Sequence, residues 1–253
     1  MRIIECEQRS ELWSTARAGV VTASQIDRIV SPTLKIRTGE GPYTYLCEKL
    51  AERLTGMPIE QLNIASYRFG VVEQGTLLEP EALGTVEFIL GQTIKPVGFI
   101  TTDDGRVGCS PDGLLDAGGV EIKCPQAQTH LKYLSENCLP PEYALQVHGS
   151  MYVTGAPQWR FVSYHRRFRM LSLVVARDEV VQNVIGKALD EFLKRLDAAY
   201  QRERDLSPSS PGPHQAATVG AVRDGVIDHA PSAAHTAQTP APDLWRGQRV
   251  EQR

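Results

Sequence analysis

The segment GCSPDGLLDAGGVEIKCP holds three charged residues whose types and spacing could do chemistry, namely Asp112, Glu121 and Lys123. Asp112 follows a proline at a turn, and Glu121 and Lys123 stand either side of one apolar residue. Because side chains alternate along a strand, we expect Glu121 and Lys123 on one face and Val120 and Ile122 on the other, facing the core. If the segments around the turn pair like a hairpin, Asp112 falls beside Glu121. The site then holds two carboxylates and an ammonium.

This donor set has the chemistry of a magnesium site that acts on phosphoryl groups. Hard divalent cations prefer oxygen ligands and are commonly held by one or two carboxylates, with water and substrate phosphate as further ligands. Asp112, Glu121 and the backbone carbonyl of Ile122 would meet that requirement. Lys123 could orient or deprotonate the attacking water and offset charge on the phosphate. A structural alternative stands beside this hypothesis, because ExK is also typical of a solvated strand face and PDG of an ordinary turn.

The strands that must position these residues follow from short β-type patterns and turn signals. Three patterns cover 96–102, 106–110 and 119–123, and the turns between them contain DDG and PDG. Two more, at 159–164 and 169–176, are expected to form a hairpin.

Helical patterns precede, separate and follow these strands. The surest helix begins after Asp178, which is placed to cap its first turn. Another is predicted from the double proline to Gly155, and one through EQGTLLEPEALGTVEFILG, where Pro80 disturbs the early pattern. Two more are predicted around VTASQIDRIVSP and PYTYLCEKLAERLTG. The order of elements indicates an α/β fold with a mixed central β-sheet flanked by helices.

The composition divides the chain into two parts. Residues 1–205 can form one domain with a sizeable core, since 42% of the 253 residues are hydrophobic. Residues 206–253 are rich in proline and alanine and contain a single aromatic residue, Trp245, so we predict a disordered tail. The tail is either a tether whose DLWR segment docks on a partner or a passive extension.

Charge, cysteine content and hydropathy indicate the cellular compartment of the protein more than its class of binding partner. The net charge of −3 neither indicates nor excludes nucleic-acid binding. Five cysteines without a CxxC pair indicate reduced thiols. No apolar run approaches the roughly 18 residues of a spanning helix, and the first residues are acidic where a secretory signal is basic and apolar. We therefore expect a cytoplasmic protein with no membrane partner.

Five segments together resemble a known family. Pro-Asp followed by Glu-x-Lys on adjacent strands resembles the PD-(D/E)XK nuclease signature. From about Glu11 to about Leu196, the segments WSTARAGVVTAS, GTLLEPEA, CSPDG, EIKCP and ALQVHGSMYVTG occur in the order found in the YqaJ family of viral recombination exonucleases, which includes phage lambda exonuclease. The resemblance implies a restriction-endonuclease-like PD-(D/E)XK core.

The resemblance also implies roles for the residues of the central segments. Asp112 matches the family's metal-bridging aspartate, Glu121 its metal-ligand glutamate and Lys123 its catalytic lysine. Gln146 matches a helix glutamine near that lysine, although a glutamine there could instead only cap or bridge backbone.

Further roles are implied outside these segments. Glu79 matches an additional acidic metal ligand, with Glu81 as its rival in a shifted register and a solvated helix carboxylate as the alternative. Arg17 and Ser24 match residues that bind the 5′-phosphate end of DNA, and Ser110 is expected to touch the scissile phosphate. An arginine fork suits phosphate and a hydroxyl near a helix start can add a hydrogen bond. Ser24 could equally be a helix N-cap.

The implied activity is a Mg²⁺-dependent exonuclease, with Mn²⁺ able to substitute, that degrades linear double-stranded DNA from 5′ to 3′ and leaves 3′ overhangs. The implied setting is a phage or prophage protein in a bacterial host, assembled as a homotrimer and working with a single-strand annealing protein. Alternatives are another PD-(D/E)XK nuclease, either Cas4-like or a restriction or repair endonuclease, and a binding module without cleavage. The Cas4-like alternative requires four cysteines for an iron–sulfur cluster, and here the cysteines are widely separated.

Two stretches depart from the family pattern, namely the segment between Ile29 and Tyr43 and the proline-rich extension after Ser207, which has no counterpart in the family. Between Ile29 and Tyr43 the match is loose, so DNA-gripping residues cannot be assigned there. The stretch RFVSYHRRFR carries four arginines and reads first as a solvated hairpin tip, with backbone phosphates or acids at a subunit boundary as alternative partners.

Overall fold

The computed structural model describes residues 1–62 and 72–206, and for 72–79 it describes the backbone alone. The predicted tail therefore lies outside the described residues, except for Leu206. The strands are β1 Arg2–Ile4, β2 Val21–Thr22, β3 Phe99–Thr101, β4 Val107–Cys109, β5 Gly113–Leu115, β6 Gly118–Lys123, β7 Gln158–Ser163 and β8 Leu171–Ala176. The helices are α1 Glu11–Arg17, α2 Glu40–Thr55, α3 Ile59–Leu62, α4 Val72–Leu90, α5 Ala127–Glu136, α6 Pro141–Thr154 and α7 Glu179–Leu206, and a 3₁₀ helix spans Ala23–Arg28.

The strands form two mixed sheets with helices around them. The first has the order β1-β3-β4-β2 and the second the order β5-β6-β7-β8. The predicted α/β fold with a mixed sheet and flanking helices is confirmed, but the expectation of one central sheet is wrong. The chain changes sheets at Ser110–Asp112, where Pro111 has no N–H to continue the β4 ladder. Asp112 and β5 then pair with β6 instead.

Strand β6 is central to the second sheet and carries the predicted chemistry. It pairs antiparallel with β5 and parallel with β7. Val120 and Ile122 pack with Ala82 and Val86 of α4 in one apolar cluster. Glu121 lies on the opposite face and bonds to α6. The predicted alternation is confirmed, and both faces of the strand are covered.

The helix boundaries follow from the capping residues. α6 begins with Pro141 in its first turn and ends at Gly155, whose φ of 72° is left-handed. At α7, Asp178 Oδ1 accepts hydrogen bonds from the backbone N–H groups of Val180 and Val181, at 2.8 and 3.3 Å. Pro80 lies inside α4, so the helix continues through it.

The main core lies between the α6 face of the second sheet and helices α2, α6 and α7. Trp159 and Phe161 of β7 and Ile185 and Leu189 of α7 are buried in it. Within residues 1–62 and 72–206, none of the helices is long and apolar enough to cross a lipid bilayer.

Candidate active site

Asp112 is held against the end of β6 by two hydrogen bonds. Its N–H donates to the Val120 carbonyl at 3.1 Å, and its Oδ2 accepts from the Ile122 N–H at 2.6 Å. The β5–β6 register pairs Gly113 with Val120, so one further step places Asp112 opposite Glu121. The expected neighbourhood of the two acids is present. The strand that creates it is β5, after the turn, rather than the predicted strand before it.

Glu121 is buried, with 4% of its surface exposed, and its charge is paired. Its Oε1 accepts hydrogen bonds from Gln146 Nε2 of α6 and from Lys123 Nζ, each at 2.6 Å. Gln146 therefore contacts the side chain of the glutamate, so the alternative in which it only caps or bridges backbone is wrong. A buried carboxylate with two donors is fixed in orientation.

Lys123 is a paired ammonium at the partly open end of the strand. Burial acts to lower the pKa of Lys123, but the negative charges of Glu121 and Asp112 outweigh it, so the pKa lies above its ordinary value. The Nζ also lies 5.0 Å from the centre of the Tyr143 ring. In this arrangement Lys123 is a hydrogen-bond donor with a positive charge.

The oxygens at this end of β6 suit a hard divalent cation. The N–H and C=O of a strand residue point to the same side, so the Ile122 carbonyl faces the side of Asp112, to which the Ile122 N–H donates. Two carboxylates and a carbonyl match the donors that Mg²⁺ takes in proteins. In the described part of the chain no group of three or more His, Cys, Asp or Glu side chains could hold a metal. Glu79, the further predicted ligand, lies outside the described side chains.

The rival ligand, Glu81, is engaged elsewhere. Its Oε1 accepts from the Tyr164 hydroxyl at 2.7 Å and its Oε2 from Arg166 at 3.0 Å. These bonds join α4 to the residues that follow β7.

Ser110 lies between the acidic site at Asp112 and a basic site at Arg17. Its Oγ lies 2.9 Å from both Arg17 NH1 and Trp13 Nε1, which donate to it from α1. The Arg17 guanidinium stacks on the Trp13 ring at 4.2 Å and lies 5.5 Å from the Phe99 ring centre. Burial lowers the pKa of Arg17, although an arginine this far above neutrality keeps its charge.

A cavity of about 150 Å³ opens beside this cluster. Four predicted site residues line it together, namely Arg17, Ser24, Ser110 and Gln146. Such a space holds on the order of ten water molecules, so it is wide enough for one phosphate group. The 3₁₀ helix starts at Ala23 with Thr22 in the N-cap position, so the alternative in which Ser24 is the N-cap is wrong.

Several residues of this cavity were not predicted. Gln8, Arg9 and Trp13 come from the N-terminal segment, and residues before Trp13 belong to none of the recognised motifs. Gln8 Nε2 donates to the carbonyls of Val97 and Pro111, at 2.9 and 2.8 Å, and so ties the N-terminus to the turn before Asp112. The signal available for Trp13 was its place in WSTARAG, four residues before Arg17 on one helix face.

A second cavity, of about 430 Å³, lies against Asp112 and Ile122. Leu83, Pro96 and Val97 form apolar parts of its wall. Asp112 therefore borders a space large enough for a nucleotide-sized group.

Comparison with known proteins identifies the family and the fold of the chain. The model of the YqaJ-like viral recombinase domain matches residues 12–157, more than half of the chain. An alkaline exonuclease (LHK-Exo) from Laribacter hongkongensis, also solved in complex with dAMP, is 29% identical, with a TM-score of 0.67 over 78% of this chain and 97% of that chain.

A phage-related exonuclease from Haemophilus somnus 129PT has the same fold at 14% identity, with a TM-score of 0.50 over 74% of this chain and 96% of that one. None of the curated proteins matches. The PD-(D/E)XK-like fold implied by the sequence is confirmed. The chain belongs to the YqaJ-like viral recombinase family.

Proposed function

We propose that the chain is a metal-dependent deoxyribonuclease that digests linear double-stranded DNA from the 5′ end and leaves 3′ single-stranded overhangs. The observation that carries the proposal is the joining of two sites through Ser110–Asp112. One holds Asp112, Glu121 and Lys123, and the other is a phosphate-sized cavity lined by Arg17. The relative from Laribacter hongkongensis, described as an alkaline exonuclease and solved with dAMP, supports it.

Asp112, Glu121 and the Ile122 carbonyl would hold Mg²⁺, for which Mn²⁺ would substitute. When bound, such an ion polarises the phosphoryl group and lowers the pKa of a bound water. Gln146 keeps the Glu121 carboxylate in place through its 2.6 Å bond. Asp112 is kept in place by the Ile122 N–H.

Lys123 acts as a charged donor in this proposal. Its ammonium hydrogen-bonds the attacking water or a phosphoryl oxygen and offsets the charge that builds up in the transition state. Water adds to phosphorus and the bond to the leaving 3′ oxygen breaks. The released mononucleotide and the shortened strand then each carry a 5′ phosphate.

Arg17 and Ser24 bind the terminal 5′ phosphate of the strand in the cavity that they line. Arginine suits phosphate because its planar fork makes parallel hydrogen bonds. Ser110 lies two residues before Asp112, so it is placed to touch the scissile phosphate. Binding of the terminal phosphate beside the cleavage site gives the enzyme its 5′ polarity.

The assembly in this proposal is a homotrimer that works with a single-strand annealing protein. The chain has a net charge of −3, and three subunits can focus basic residues on a shared channel that the whole-chain charge conceals.

Digestion of end-labelled DNA tests the proposal. Linear duplexes labelled at the 5′ or the 3′ end are incubated with the full chain, with and without Mg²⁺, beside a covalently closed circle. We expect Mg²⁺-dependent release of 5′-labelled mononucleotides, a persistent 3′-labelled strand and an intact circle. A linearised circle would show an endonuclease, and early release of the 3′ label would show the opposite polarity.

A further inference from the structure

The loop that joins β7 to β8, residues 164–170, lies at the catalytic edge of the second sheet. β6 and β7 are parallel, so their carboxyl ends meet at one edge, and the register pairs Lys123 with Ser163. The Tyr164 N–H donates to the Lys123 carbonyl at 2.8 Å. The first residue of the loop, Tyr164, therefore directly follows Ser163, the strand partner of Lys123.

A buried histidine fixes both ends of this loop. His130 of α5 is fully buried and bonds to Ser163 Oγ at 2.8 Å and to the Arg169 carbonyl at 2.9 Å. The His165 and Phe168 rings pack 4.8 Å apart and stack on His130. On its other side, Glu81 of α4 bonds Tyr164 and Arg166. These contacts hold the backbone of the loop at both of its ends.

The outer surface of the loop is positively charged. Arg166, Arg167 and Arg169 are exposed within four residues. Arg166 is paired with Glu81. Among residues 1–62 and the described side chains of 80–206, neither Arg167 nor Arg169 forms a salt bridge with a carboxylate.

We propose that the β7–β8 loop is a second DNA-backbone contact, in which Arg167 and Arg169 bind phosphates of the duplex next to the cleavage site. The inference rests on the proposed function, because it is the polyanionic duplex that must pass this edge. Duplex DNA presents one negative charge per roughly 1.7 Å of axis, so two guanidinium groups on this loop meet phosphates whatever the sequence. The partner is therefore any duplex rather than a specific base sequence.

The test is the salt dependence of duplex binding in EDTA, which separates binding from cleavage. Binding of a fluorescent linear duplex to the full chain is measured over a range of KCl concentrations for Arg167→Ala/Arg169→Ala. The slope of log affinity against log salt concentration should fall in magnitude by about 0.9 per lost phosphate contact, or by about 1.8 for the pair. The Arg167→Lys/Arg169→Lys variant should keep the parent slope, because phosphate contacts need the charge.

The matched control is Arg195→Ala/Arg202→Ala, which removes the same charge from exposed positions of α7. It should leave the slope unchanged. An unchanged slope in Arg167→Ala/Arg169→Ala overturns the proposal, and so does an equal decrease in the α7 control. A changed sedimentation coefficient with an unchanged slope would show a protein contact instead. Failure of the proposed function appears separately, as an uncut duplex with the parent chain in Mg²⁺.

Discussion

Three charged residues, Asp112, Glu121 and Lys123, carry the proposed cleavage chemistry. Asp112→Asn, Glu121→Gln and Lys123→Ala should each reduce DNA cleavage by roughly 10²–10⁴-fold, because in the proposed mechanism Asp112 and Glu121 hold the metal ion and Lys123 donates to the reacting phosphate. Glu121 is buried, but glutamine keeps its size and an oxygen that accepts from Gln146. Initial rates of end-labelled duplex digestion measure the effect, and urea denaturation checks that each variant folds.

The matched control for these variants is Asp116→Asn, since Asp116 is an aspartate in the same segment with a side chain 87% exposed. Its cleavage rate should equal that of the parent. Parent-like cleavage by all three site variants would remove the catalytic assignment.

The role of Arg17, which lines the cavity, is tested by a different measurement. Arg17→Ala should lower the preference for 5′-phosphorylated ends, because its half-buried guanidinium, bonded to Ser110, places a positive charge at the wall of that cavity. The measurement is the ratio of initial rates on 5′-phosphorylated and 5′-hydroxyl duplexes, which should fall towards one. Arg28→Ala is the control, since Arg28 is paired with Glu48. A ratio that stays at the parent value in Arg17→Ala would assign the phosphate to another group.

The residues of the site could be predicted where a local pattern determines them. Alternation along β6 placed Glu121 and Lys123 on one face, whereas the pairing of β5 that brings Asp112 beside Glu121 was not predicted. Gln8 could not be predicted, because its contact with Pro111 joins residues about one hundred positions apart. The sequence also gave no sign that Trp13 and Arg17 share Ser110 as their acceptor.

At the scale of elements, the turn between α1 and β2 positions Arg17. Gly19 has φ 73°, its N–H donates to Glu52 Oε2 at 2.7 Å, and its carbonyl accepts from Arg53 at 3.1 Å. The same Glu52 oxygen accepts from the buried Lys49 at 2.6 Å. Helix α2 therefore holds the turn that follows Arg17 in place.

Substitution of this glycine tests the packing of the turn. In Gly19→Ala a left-handed backbone and a Cβ 2.5 Å from Arg53 Cγ should lower the free energy of unfolding by about 1–3 kcal/mol. Gly84→Ala is the control, because Gly84 lies in α4 with open space around it and alanine should raise stability by about 0.5–1 kcal/mol. Urea denaturation measures both. Equal stability changes would show that the turn tolerates a side chain.

Long elements with capping signals could be predicted, whereas three of the short strands could not. Helix α6 ends at the predicted Gly155, and helix α7 begins after the predicted Asp178. β1, β2 and β5 have two or three residues each, which is too short for a period-two pattern to stand out. Their pairing depends on distant partners, and so the division into two sheets was not predictable.

At the scale of the whole molecule, the proposed trimer makes a prediction about mass. One chain has a mass of 27.9 kDa, and sedimentation equilibrium should give three times this value. We expect this because a ring of subunits lets a chain of net charge −3 surround a polyanion with basic residues turned inward. A monomer at all concentrations would contradict the proposed ring. DNA would then have to bind to a single chain, at the β7–β8 loop and the cavity lined by Arg17.

The most direct test of the central claim is the anomalous diffraction of crystals soaked in Mn²⁺, which locates the ion without reference to activity. The account predicts one strong manganese peak within coordination distance of the carboxylates of Asp112 and Glu121, and its loss in Asp112→Asn/Glu121→Gln. A peak elsewhere, or none with these side chains ordered, would contradict the claim that they form the catalytic centre.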